Sequence, residues 1–354
     1  MNILHISRTM GQGGAEKVVY QICKDKTEDT NMFIASTGGI LEDKLKESNV
    51  KHITIPDIND KNPMKIIKTI MILNKTIKKY NIDCIHSHHR MAAFYARILT
   101  IFRNDISCVY TAHNVFYDKI KLLRFALRKT KIIAVGDGVK NNLINVYGIN
   151  ENNIQIIYNS VEMPNKLIEV KDNLFNKDNK ILIGTIGRLS EQKGIDIFIK
   201  AIANVIKENK EVYGIVIGDG ELREELEKLT ETLNISKNIY FLGYRSDVLE
   251  IISKLDFVVL SSRWEGFPLT PIETFMMGKS IIATNIDGNN EIVVNEKNGL
   301  LFEKDDYEEL SNCIFRLLQE KKLLKKLEEN AKNDYIEKYS YDIFKKKYIE
   351  VYKK

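Results

Sequence analysis

The sequence predicts an α/β protein made of two doubly wound, parallel-stranded domains. Short runs rich in β-branched residues alternate with longer stretches of helical period along all 354 residues. Most of these runs are continuously apolar, as expected for parallel strands covered by helices on both faces. The alternation pauses once, at Val161–Lys180, which carries Pro164 and several Asn and Lys residues and which we interpret as a linker. At roughly 100–200 residues per domain, the length suits two domains.

Each predicted strand is bounded by polar or glycine-containing segments. The predicted strands of the first half are Asn2–Ile6, Met32–Ser36, His52–Ile55, Ile82–His86, Cys108–Thr111, Ile132–Val135 and Ile154–Ile157. Those of the second half are Ile181–Ile186, Tyr213–Ile217, Ile239–Leu242, Phe257–Leu260, Ser280–Ala283 and Leu300–Phe302. We place the first domain at residues 1–165 and the second at residues 166–337.

The C-terminal segment, residues 338–354, is predicted to be an amphipathic helix. Tyr341, Phe344, Tyr348 and Val351 follow one another at helical spacing and form an apolar stripe. Such a stripe needs an apolar partner surface. The helix can therefore pack back on the first domain or pack on the second.

Composition excludes several classes of protein. The four cysteines are far apart and form no Cys-x-x-Cys pair, which argues against a disulfide framework and a cysteine zinc site. No apolar run approaches the roughly 18–20 residues that span a bilayer. The segment Met1–His5 has no basic flank before its apolar residues, so we expect no signal peptide and a cytoplasmic location.

Charge is distributed unevenly along the chain. Residues 1–160 hold 23 Lys and Arg against 14 Asp and Glu, a balance of +9, whereas the remainder has a balance of −4. A basic half favours an anionic partner, which charge alone allows to be nucleic acid, a phospholipid surface or a phosphorylated substrate. No recognised nucleic-acid-binding motif accompanies the basic residues, so we expect no nucleic-acid partner.

One glycine-containing loop follows the first strand of each domain, at the end of the strand where ligands bind in open α/β sheets. Gly11–Glu16 opens a helix, and its small residues let an anion approach backbone N–H groups. The second strand ends Ala35-Ser36-Thr37-Gly38 without a carboxylate, which disfavours a nicotinamide-dependent dehydrogenase. In the loop Gly184–Gly194, the cations Arg188 and Lys193 are suited to binding a diphosphate. The alternative is that both are solvated cations of the protein surface.

The segment Ser261–Glu273 carries the densest set of functional residue types. It leaves a predicted buried strand, crosses a Gly/Pro loop and enters a helix whose free N–H groups form an anion pocket. Glu265 and Glu273 bracket this pocket. The strand–loop–helix frame favours a functional site over chance carboxylates on a surface loop.

Histidines cluster after two strands of the first domain. His86, His88 and His89 follow one strand and His113 follows the next, so they share one edge of the sheet. His86 and His88 could form a pair of metal ligands, but no third ligand has a suitable spacing in the sequence. We therefore prefer a role for these imidazoles in hydrogen bonding to the substrate. For His86 alone, a packed structural role is equally expected.

These residues match a known family. Glu265 through Glu273 fits the Glu-x7-Glu signature of retaining GT-B glycosyltransferases. Further motifs follow the family order: Gly13-Gly14-Ala15-Glu16, Gly187-Arg188 with Lys193-Gly194, Gly218-Asp219-Gly220-Glu221, and Gly288 with Glu291 and Asn298-Gly299. Over essentially its whole length the chain resembles glycosyltransferase family 4. It departs from the family pattern at Ser160, where Gly is more frequent, and at Asn114, where many members have Asp.

The resemblance implies a GT-B fold, with two Rossmann-like domains facing a central cleft. The first would bind the acceptor and the second the nucleotide sugar. The implied catalytic residues, which would face the transferred sugar, are His113 and Glu265, and the implied acceptor-side residues are His86, His88 and His89. The implied donor-binding residues are Gly13, Gly14, Arg188, Lys193, Gly218, Asp219, Gly220, Tyr244, Phe267, Pro268, Leu269, Thr270 and Glu273.

By the same resemblance, Arg188 and Lys193 would hold the diphosphate with backbone groups of the glycine loop and of the helix start. Glu273 would bind the ribose hydroxyls, and the loops Gly218–Gly220 and Leu242–Arg245 would line the base. The family retains anomeric configuration. The absence of any Asp-x-Asp sequence disfavours a metal-dependent transferase, so we expect no obligatory metal or cofactor.

We therefore expect a retaining glycosyltransferase that uses a nucleotide-diphosphate sugar, with UDP preferred over GDP. Its acceptor would be a glycan or a lipid-linked hydroxyl in bacterial surface polysaccharide synthesis. Basic segments at Lys65–Lys79 and Lys119–Lys129 combine cations with an apolar helical stripe, which allows contact with an anionic membrane at its inner face. The stripe equally suits the core-facing side of an ordinary helix with a charged outer face. The alternatives are a sugar-nucleotide epimerase of the same architecture and a non-enzymatic two-lobed sugar-binding protein.

Overall fold

A computed structural model describes residues 1–11, 13–25, 27–164, 166–167, 170, 175 and 180–353. The predicted boundary residue Asn165, much of the predicted linker and Gln12 of the first glycine loop lie outside the described residues. The chain divides into two compact units, residues 1–159 with 342–354, and residues 160–341. The assignment of an acceptor domain and a donor domain to the two halves stays a prediction.

The first unit is built on a seven-stranded sheet in which every neighbouring pair is parallel, in the order β3-β2-β1-β4-β5-β6-β7. Its elements are β1 (Asn2–Ile6), α1 (Gly14–Lys24), β2 (Asn31–Ser36), α2 (Glu42–Glu47), β3 (Lys51–Thr54), α3 (Pro63–Lys79), β4 (Cys84–Ser87), α4 (Arg90–Thr100), β5 (Ser107–Ala112), α5 (Ile120–Ala126), β6 (Lys131–Ala134), α6 (Asp137–Asn145) and β7 (Ile154–Ile156). Each run predicted as a strand in this half forms one.

The second unit holds a six-stranded parallel sheet in the order β10-β9-β8-β11-β12-β13. Its elements are β8 (Ile181–Ile186), α7 (Ile195–Glu208), β9 (Val212–Ile217), α8 (Arg223–Thr232), β10 (Ile239–Phe241), α9 (Val248–Lys254), β11 (Phe257–Leu260), α10 (Leu269–Met276), β12 (Ile281–Thr284), β13 (Leu300–Phe302), α11 (Tyr307–Gln319) and α12 (Lys321–Asp334). A single π-helical turn, Tyr335–Tyr339, follows α12. Both sheets have the α/β architecture that the strand pattern predicts.

The last helix, α13 (Tyr341–Tyr352), packs against the sheet of the first unit. Its residues Phe344, Tyr348, Val351 and Tyr352 are buried. The Tyr352 hydroxyl lies 2.5 Å from Nδ1 of His86 on β4, and the Tyr348 hydroxyl lies 3.5 Å from the hydroxyl of Thr111 on β5. This helix therefore covers the strands that lead to the predicted histidine cluster.

The apolar stripe of α3 faces the core of the first unit. Leu73 and Ile77 are buried in a cluster with residues of β1 and β4, and Ile66 and Ile70 pack against that cluster. The stripe that the sequence links to membrane contact is thus a core-facing stripe. Other apolar side chains of the same helix are exposed: Met64, Ile67 and Met71.

A hydroxyl ties the beginning of the second unit to its end. Ser160 stands where the family more often has glycine, and its Oγ donates a hydrogen bond of 2.6 Å to the carbonyl oxygen of Tyr339. The Tyr335 hydroxyl donates to the carbonyl oxygen of Val161 at 3.0 Å. The departure at Ser160 therefore adds a contact that glycine could not make.

Two further findings bear on the class of protein. The four cysteines are free thiols, and burial raises the pKa of Cys84 to about 12, so this thiol stays protonated at neutral pH. Of the helices in the described ranges, none is both long enough and apolar enough to cross a membrane.

Substituting two residues on opposite faces of α3 tests the assignment of its core face. Leu73→Ala should lower the free energy of unfolding by about 2–5 kcal/mol, because Leu73 has no exposed surface and truncation leaves a cavity. Met71→Ala, on the 65% exposed Met71, should change it by less than about 0.5 kcal/mol. Urea denaturation followed by circular dichroism measures both. Equal losses in the two variants would contradict the assignment.

Candidate active site

Four loops of the second unit carry the predicted donor residues. They follow β8, β9, β10 and β11, which are neighbours in the sheet, so the loops emerge at one edge. The predicted residues fall on these loops and on the helix that continues the last one: Arg188, Lys193, Gly218, Asp219, Gly220, Tyr244, Glu265, Phe267, Pro268, Leu269, Thr270 and Glu273. The fold thus brings these residues to one edge of the second sheet.

Two glycines allow these loops to touch through their backbones. Gly218 has φ +136°, and a Cβ there would overlap the carbonyl oxygen of Gly187. Gly194 has φ +56°, and a Cβ there would overlap the carbonyl oxygen of Ser261. L-residues rarely adopt these angles, and no side chain fits in either gap. Both positions therefore require glycine.

Lys193 and Glu265 form an ion pair between two of the loops. The Nζ of Lys193 lies 2.5 Å from Oε1 of Glu265, and the Ser262 hydroxyl donates to the same oxygen at 2.7 Å. The side chains are 18% and 7% exposed, so the pair is largely removed from water. The predicted diphosphate cation and the predicted sugar-facing carboxylate are thus in direct contact.

Arg263 holds the loop after β11 in place, a role that the sequence analysis missed. Its guanidinium makes two 3.0 Å hydrogen bonds to the carboxylate of Asp196 and a 2.7 Å bond to Asp305. It also donates to the carbonyl oxygen of Glu191 at 2.9 Å. The only signal in the sequence is an arginine two residues before Glu265, which does not identify its distant partners.

The N-terminus of α10 is open to an anion. Pro268 precedes the helix in an extended conformation, and no side chain caps the first turn, so the N–H groups of Leu269 and Thr270 have no capping partner. Glu273 and Phe267 are buried, at 6% and 4% exposure. The Phe267 ring lies 6.2 Å from that of Tyr339. Free N–H groups and the helix dipole together favour a phosphate here.

The two loops predicted to line the base are paired. The backbone N–H of Gly218 donates to the carbonyl oxygen of Gly243 at 2.9 Å, which brings the loop after β9 against the loop after β10. Asp219 forms a 3.2 Å ion pair with Arg223, and the next residue after Gly243, Tyr244, is 53% exposed. An exposed aromatic ring beside a glycine loop can stack on a planar base.

Arg188 lies at the surface of its loop. It is 72% exposed and forms a 3.0 Å ion pair with Glu221. Exposed pairs of this kind contribute little to stability, so Arg188 can exchange this partner for a phosphate.

In the first unit, α1 also begins without a side-chain cap from any described residue. Gly13 precedes the helix in an extended conformation and Gly14 is its first residue. The first turn already carries one acid, Glu16, which accepts a 2.7 Å hydrogen bond from the Thr9 hydroxyl. The carboxylate of Glu16 also lies beside Gly13, because a Cβ on Gly13 would overlap its Oε2.

The histidines of the first unit form a hydrogen-bonded cluster that includes one residue the sequence analysis missed. Nδ1 of His5 lies 2.9 Å from Nε2 of His88, and Nδ1 of His88 lies 3.1 Å from Nε2 of His113. His5 stands opposite His86 in the pairing of β1 with β4. A polar residue inside an apolar strand is the one signal that could have found it.

His86 and His89 take different positions. His86 has no exposed surface, and its two ring nitrogens contact the Tyr352 hydroxyl and, at 2.8 Å, the Thr111 hydroxyl. His89 precedes α4 and accepts a 3.2 Å hydrogen bond from the N–H of Met91. Burial, reinforced by the charge of Arg90, lowers the pKa of His89 to about 4. His89 therefore caps a helix, and His86 is packed among hydroxyls.

Burial also keeps the other rings neutral. It lowers the pKa of His5 to about 3 and that of His113 to about 4, and it lowers those of His86 and His88 well below the ordinary value. Nitrogens of His5, His86 and His88 lie within 4.8 Å of one another, a spacing that could hold a metal ion. All of these nitrogens except Nε2 of His5 already take part in hydrogen bonds. The cluster can thus supply neutral hydrogen-bonding groups.

Comparison with known proteins identifies the family. Residues 167–334 match the model of glycosyl transferases group 1, and residues 12–163 match the model of glycosyltransferase family 4. The chain is 27% identical, over 94% of its length and 92% of the relative's, to a UDP-Gal:alpha-D-GlcNAc-diphosphoundecaprenol alpha-1,3-galactosyltransferase of Escherichia coli. It is 29% identical, over 82% of both chains, to N,N'-diacetylbacillosaminyl-diphospho-undecaprenol alpha-1,3-N-acetylgalactosaminyltransferase of Campylobacter jejuni.

Solved structures share the fold over nearly the whole chain. Anabaena Alr3699/HepE in complex with UDP superposes with a TM-score of 0.86 at 21% identity, covering 99% of both chains. A glycosyltransferase from Rickettsia africae gives a TM-score of 0.86 at 25% identity, covering 99% of this chain and 97% of that one. The chain has two parallel α/β sheets, and a glycosyltransferase family model matches most of each half. It therefore resembles the family 4 type of glycosyltransferases and has the GT-B fold.

Proposed function

We propose that this glycosyltransferase moves a sugar from a UDP-sugar to a hydroxyl of a lipid-linked or glycan acceptor, with retention of anomeric configuration, in bacterial surface polysaccharide synthesis. One observation carries the proposal: a largely buried ion pair joins Lys193, on the loop after β8, to Glu265, on the loop that leads into the uncapped N-terminus of α10. A cation, a carboxylate and free N–H groups in one loop system suit a sugar diphosphate.

The comparisons support the choice of donor and acceptor. The Escherichia coli relative is named for a UDP-Gal donor and a diphosphoundecaprenol acceptor, and the Campylobacter jejuni relative for a diphospho-undecaprenol acceptor. One structural neighbour was solved with UDP. A uridine donor and a polyprenyl diphosphate-linked acceptor are therefore our first choices.

The donor-side residues would act mainly on the leaving group. Departure of a nucleoside diphosphate builds negative charge, which Arg188, Lys193 and the N–H groups at the start of α10 would stabilise. Both cations pair with carboxylates, so donor binding would exchange those partners for phosphate oxygens. We assign the diphosphate also to Gly13 and Gly14 at the uncapped start of α1.

The remaining donor contacts follow from the arrangement of the loops. Glu273 would accept hydrogen bonds from the ribose hydroxyls, and the paired loops that contain Gly218, Asp219, Gly220 and Tyr244 would line the base. Phe267 and Pro268 would shape the pocket next to Leu269 and Thr270. Fixed cations and N–H groups would neutralise the diphosphate, so we expect no obligatory metal.

Glu265 and His113 would face the transferred sugar. In same-face attack the leaving phosphate helps to deprotonate the acceptor, so neither residue needs to be a nucleophile. On the acceptor side we assign direct contact to His89. His86 and His88, whose ring nitrogens are all engaged in hydrogen bonds, would support the acceptor side through their neighbours.

A transfer assay separates this function from its alternatives. Purified protein incubated with UDP-sugars and a polyprenyl diphosphate-linked sugar should release UDP only when the acceptor is present. Proton NMR of the product should give the same anomeric configuration as the donor. An epimerase would convert the donor without an acceptor, and a sugar-binding protein would bind without turnover; either result would contradict the proposal.

Neutralising the two cations should weaken donor binding. UDP at 100 times its dissociation constant should stabilise the wild-type protein by roughly 2.7 kcal/mol, which thermal melting detects as a shift of a few degrees. Lys193→Gln and Arg188→Gln should each lower the affinity for UDP by at least about tenfold, since a hydrogen bond to a charged group contributes about 1.5–3 kcal/mol.

The matched control is Arg316→Gln, which removes a cation of α11 that is paired with Glu296 and Glu320. It should leave the UDP shift unchanged. A full UDP shift in both Lys193→Gln and Arg188→Gln would exclude the diphosphate assignment.

Glu265→Gln should lower kcat by about 100-fold, because a fixed group that stabilises developing charge acts mainly in the transition state. The KM for the donor should change by less than about threefold. Steady-state kinetics of UDP release measure both constants. Glu296→Gln, an exposed carboxylate of the same unit, is the control, and an unchanged kcat in Glu265→Gln would refute its role.

We further propose that α3 contacts an anionic membrane. Its exposed apolar residues Met64, Ile67 and Met71 are 75%, 57% and 65% exposed and follow one another at helical spacing. Exposed lysines lie between and after them, including Lys65, Lys68 and Lys75. An apolar stripe flanked by cations suits an anionic bilayer, and each cation near the surface contributes about 1 kcal/mol.

Co-sedimentation with phosphatidylglycerol vesicles tests this contact. The wild-type protein should sediment at low salt and dissociate as salt increases. Replacing Met64, Ile67 and Met71 together by Ser should abolish sedimentation, whereas Ile336→Ser, which removes an exposed apolar residue of the second unit, should not. A wild-type protein that stays in the supernatant at low salt would rule the contact out.

A further inference from the structure

Three polar side chains support the turn that follows β2. Nε2 of His52, on the edge strand β3, lies 2.8 Å from the hydroxyl of Ser36, the last residue of β2. Nδ1 of the same ring lies 3.4 Å from Oε2 of Glu42, the first residue of α2. The side chain of His52 is 7% exposed, and Ser36 has no exposed surface. His52 therefore joins the strand before the turn to the helix after it.

The position of the carboxylate determines which ring nitrogen of His52 carries the proton. Burial lowers the pKa of His52 below its ordinary value, although Glu42 acts in the opposite direction, so the ring is neutral at pH 7. A neutral imidazole donates from one nitrogen and accepts at the other. Because the carboxylate beside Nδ1 can only accept, Nδ1 carries the proton and Nε2 accepts from the Ser36 hydroxyl.

The same side chains hold the two glycines of the turn. The Ser36 hydroxyl oxygen accepts a 3.0 Å hydrogen bond from the N–H of Gly38, and Oε1 of Glu42 accepts a 2.8 Å hydrogen bond from the N–H of Gly39. The two glycines have φ angles of +99° and +150°, which L-residues rarely adopt. His52, Ser36 and Glu42 thus fix a turn whose conformation only glycine adopts readily.

This turn lies against the backbone of residues 8–10, which lead into the glycine loop at residues 11–14. The N–H of Met10 donates to the carbonyl oxygen of Gly38, and the carbonyl oxygen of Met10 accepts from the N–H of Leu41, both at 3.0 Å. Gly39 packs so closely that a Cβ there would overlap the carbonyl oxygen of Met10. A displacement of the turn would therefore displace the start of the glycine loop.

A second connection runs from the same segment to the helix that ends the glycine loop. The N–H of Thr37 donates to the carbonyl oxygen of Arg8 at 3.0 Å. The hydroxyl of Thr9, the next residue, donates to Glu16 in the first turn of α1 at 2.7 Å. The turn after β2 is thus connected to both ends of the glycine loop.

We propose that His52 is a positioning residue for the glycine loop: with Ser36 and Glu42 it fixes the turn after β2, and this turn places the N–H groups at the start of α1 for the diphosphate of the donor. The contact with the diphosphate rests on the proposed function, whereas the connection from His52 to the glycine loop does not. His52 acts through the turn and needs no contact with the donor.

Glycine-selective ¹⁵N labelling of the full chain tests the connection without any nucleotide. His52→Leu removes both polar contacts of the ring and keeps a side chain of similar size. The amide signals of the turn and of the glycine loop should then shift together: those of Gly38, Gly39, Gly11, Gly13 and Gly14. The signal of Gly148, which follows α6 in the same unit, should stay in place. Unmoved signals of the glycine loop overturn the proposal.

The effect on nucleotide binding distinguishes positioning from a general loss of stability. His52→Leu should weaken the binding of UDP by about tenfold, because displaced N–H groups lose hydrogen bonds to charged oxygens. It should leave the binding of uridine, which has no phosphate, unchanged. Isothermal titration calorimetry measures UDP, and an NMR titration measures uridine. Equal weakening of both ligands would overturn the proposal.

Leu73→Ala is the matched control for stability. It truncates a core residue of the same unit that has no exposed surface and belongs to the cluster beneath α3. Measured below its melting temperature, this variant should bind UDP and uridine as the wild-type protein does. A loss of UDP affinity equal to that of His52→Leu would show that destabilisation alone explains the effect, and would overturn the proposal.

Two further variants test the connection through Ser36. His52→Gln places an amide beside the Ser36 hydroxyl and should restore most of the affinity for UDP. Ser36→Ala removes the acceptor for the N–H of Gly38 and should cause the same loss as His52→Leu. The double variant should lose no more than either single one, because both groups act through one turn. No recovery in His52→Gln, or losses that multiply in the double variant, would overturn the proposal.

The outcomes separate this inference from the proposed function. If the wild-type protein binds no UDP, the donor assignment fails, and the amide signals of the glycine loop still decide whether His52 positions it. If the wild-type protein binds UDP and transfers sugar while His52→Leu changes neither the amide signals nor the affinity, the inference alone fails.

Discussion

The donor-side geometry depends on one constraint, the backbone-to-backbone contact between loops that follow neighbouring strands. The loop after β8 touches the loop after β9 at Gly218 and the loop after β11 at Gly194. A methyl group at either glycine would force the loops apart. Because Gly194 directly follows Lys193, this contact also sets the reach of the Lys193 ammonium to Glu265. The ion pair is therefore a consequence of backbone packing, and Arg263 fixes its other side by bonding to Asp196.

The burial of Lys193 and Glu265 limits how much their ion pair can stabilise the fold. Two charges taken out of water lose hydration that their mutual attraction does not always restore, so such a pair is weak evidence for stability. A third group, the Ser262 hydroxyl, satisfies a lone pair of the carboxylate. We infer that the pair serves binding and that an incoming phosphate takes over part of the lysine's charge. Arg188 differs, because its pair with Glu221 is exposed and can be exchanged at little cost.

The fold could be predicted closely from the sequence, whereas the contacts between residues on different strands and loops could not. Every predicted strand exists, because continuous apolar runs between polar loops leave a parallel sheet as the simplest arrangement. His5 escaped notice because it sits inside such a run, and its role depends on β1 pairing with β4. Arg263 was missed because its partner Asp305 is distant in sequence. The sequence left two positions open for the apolar stripe of α3, the core and a membrane surface, since periodicity reveals an apolar face but not what covers it. The roles of the site residues remain predictions.

The path of the chain has a consequence for the order in which the protein is made. The second unit is continuous, whereas the first unit consists of residues 1–159 together with α13, which begins more than 180 residues later. During synthesis the first sheet emerges from the ribosome early, with His86 and Thr111 lacking the hydroxyls of Tyr352 and Tyr348 that later contact them. The second unit has all of its strands before α13 is translated. The first unit, whose synthesis begins first, is thus the last to complete its fold. The face of its sheet that carries His86 stays uncovered until α13 has been translated.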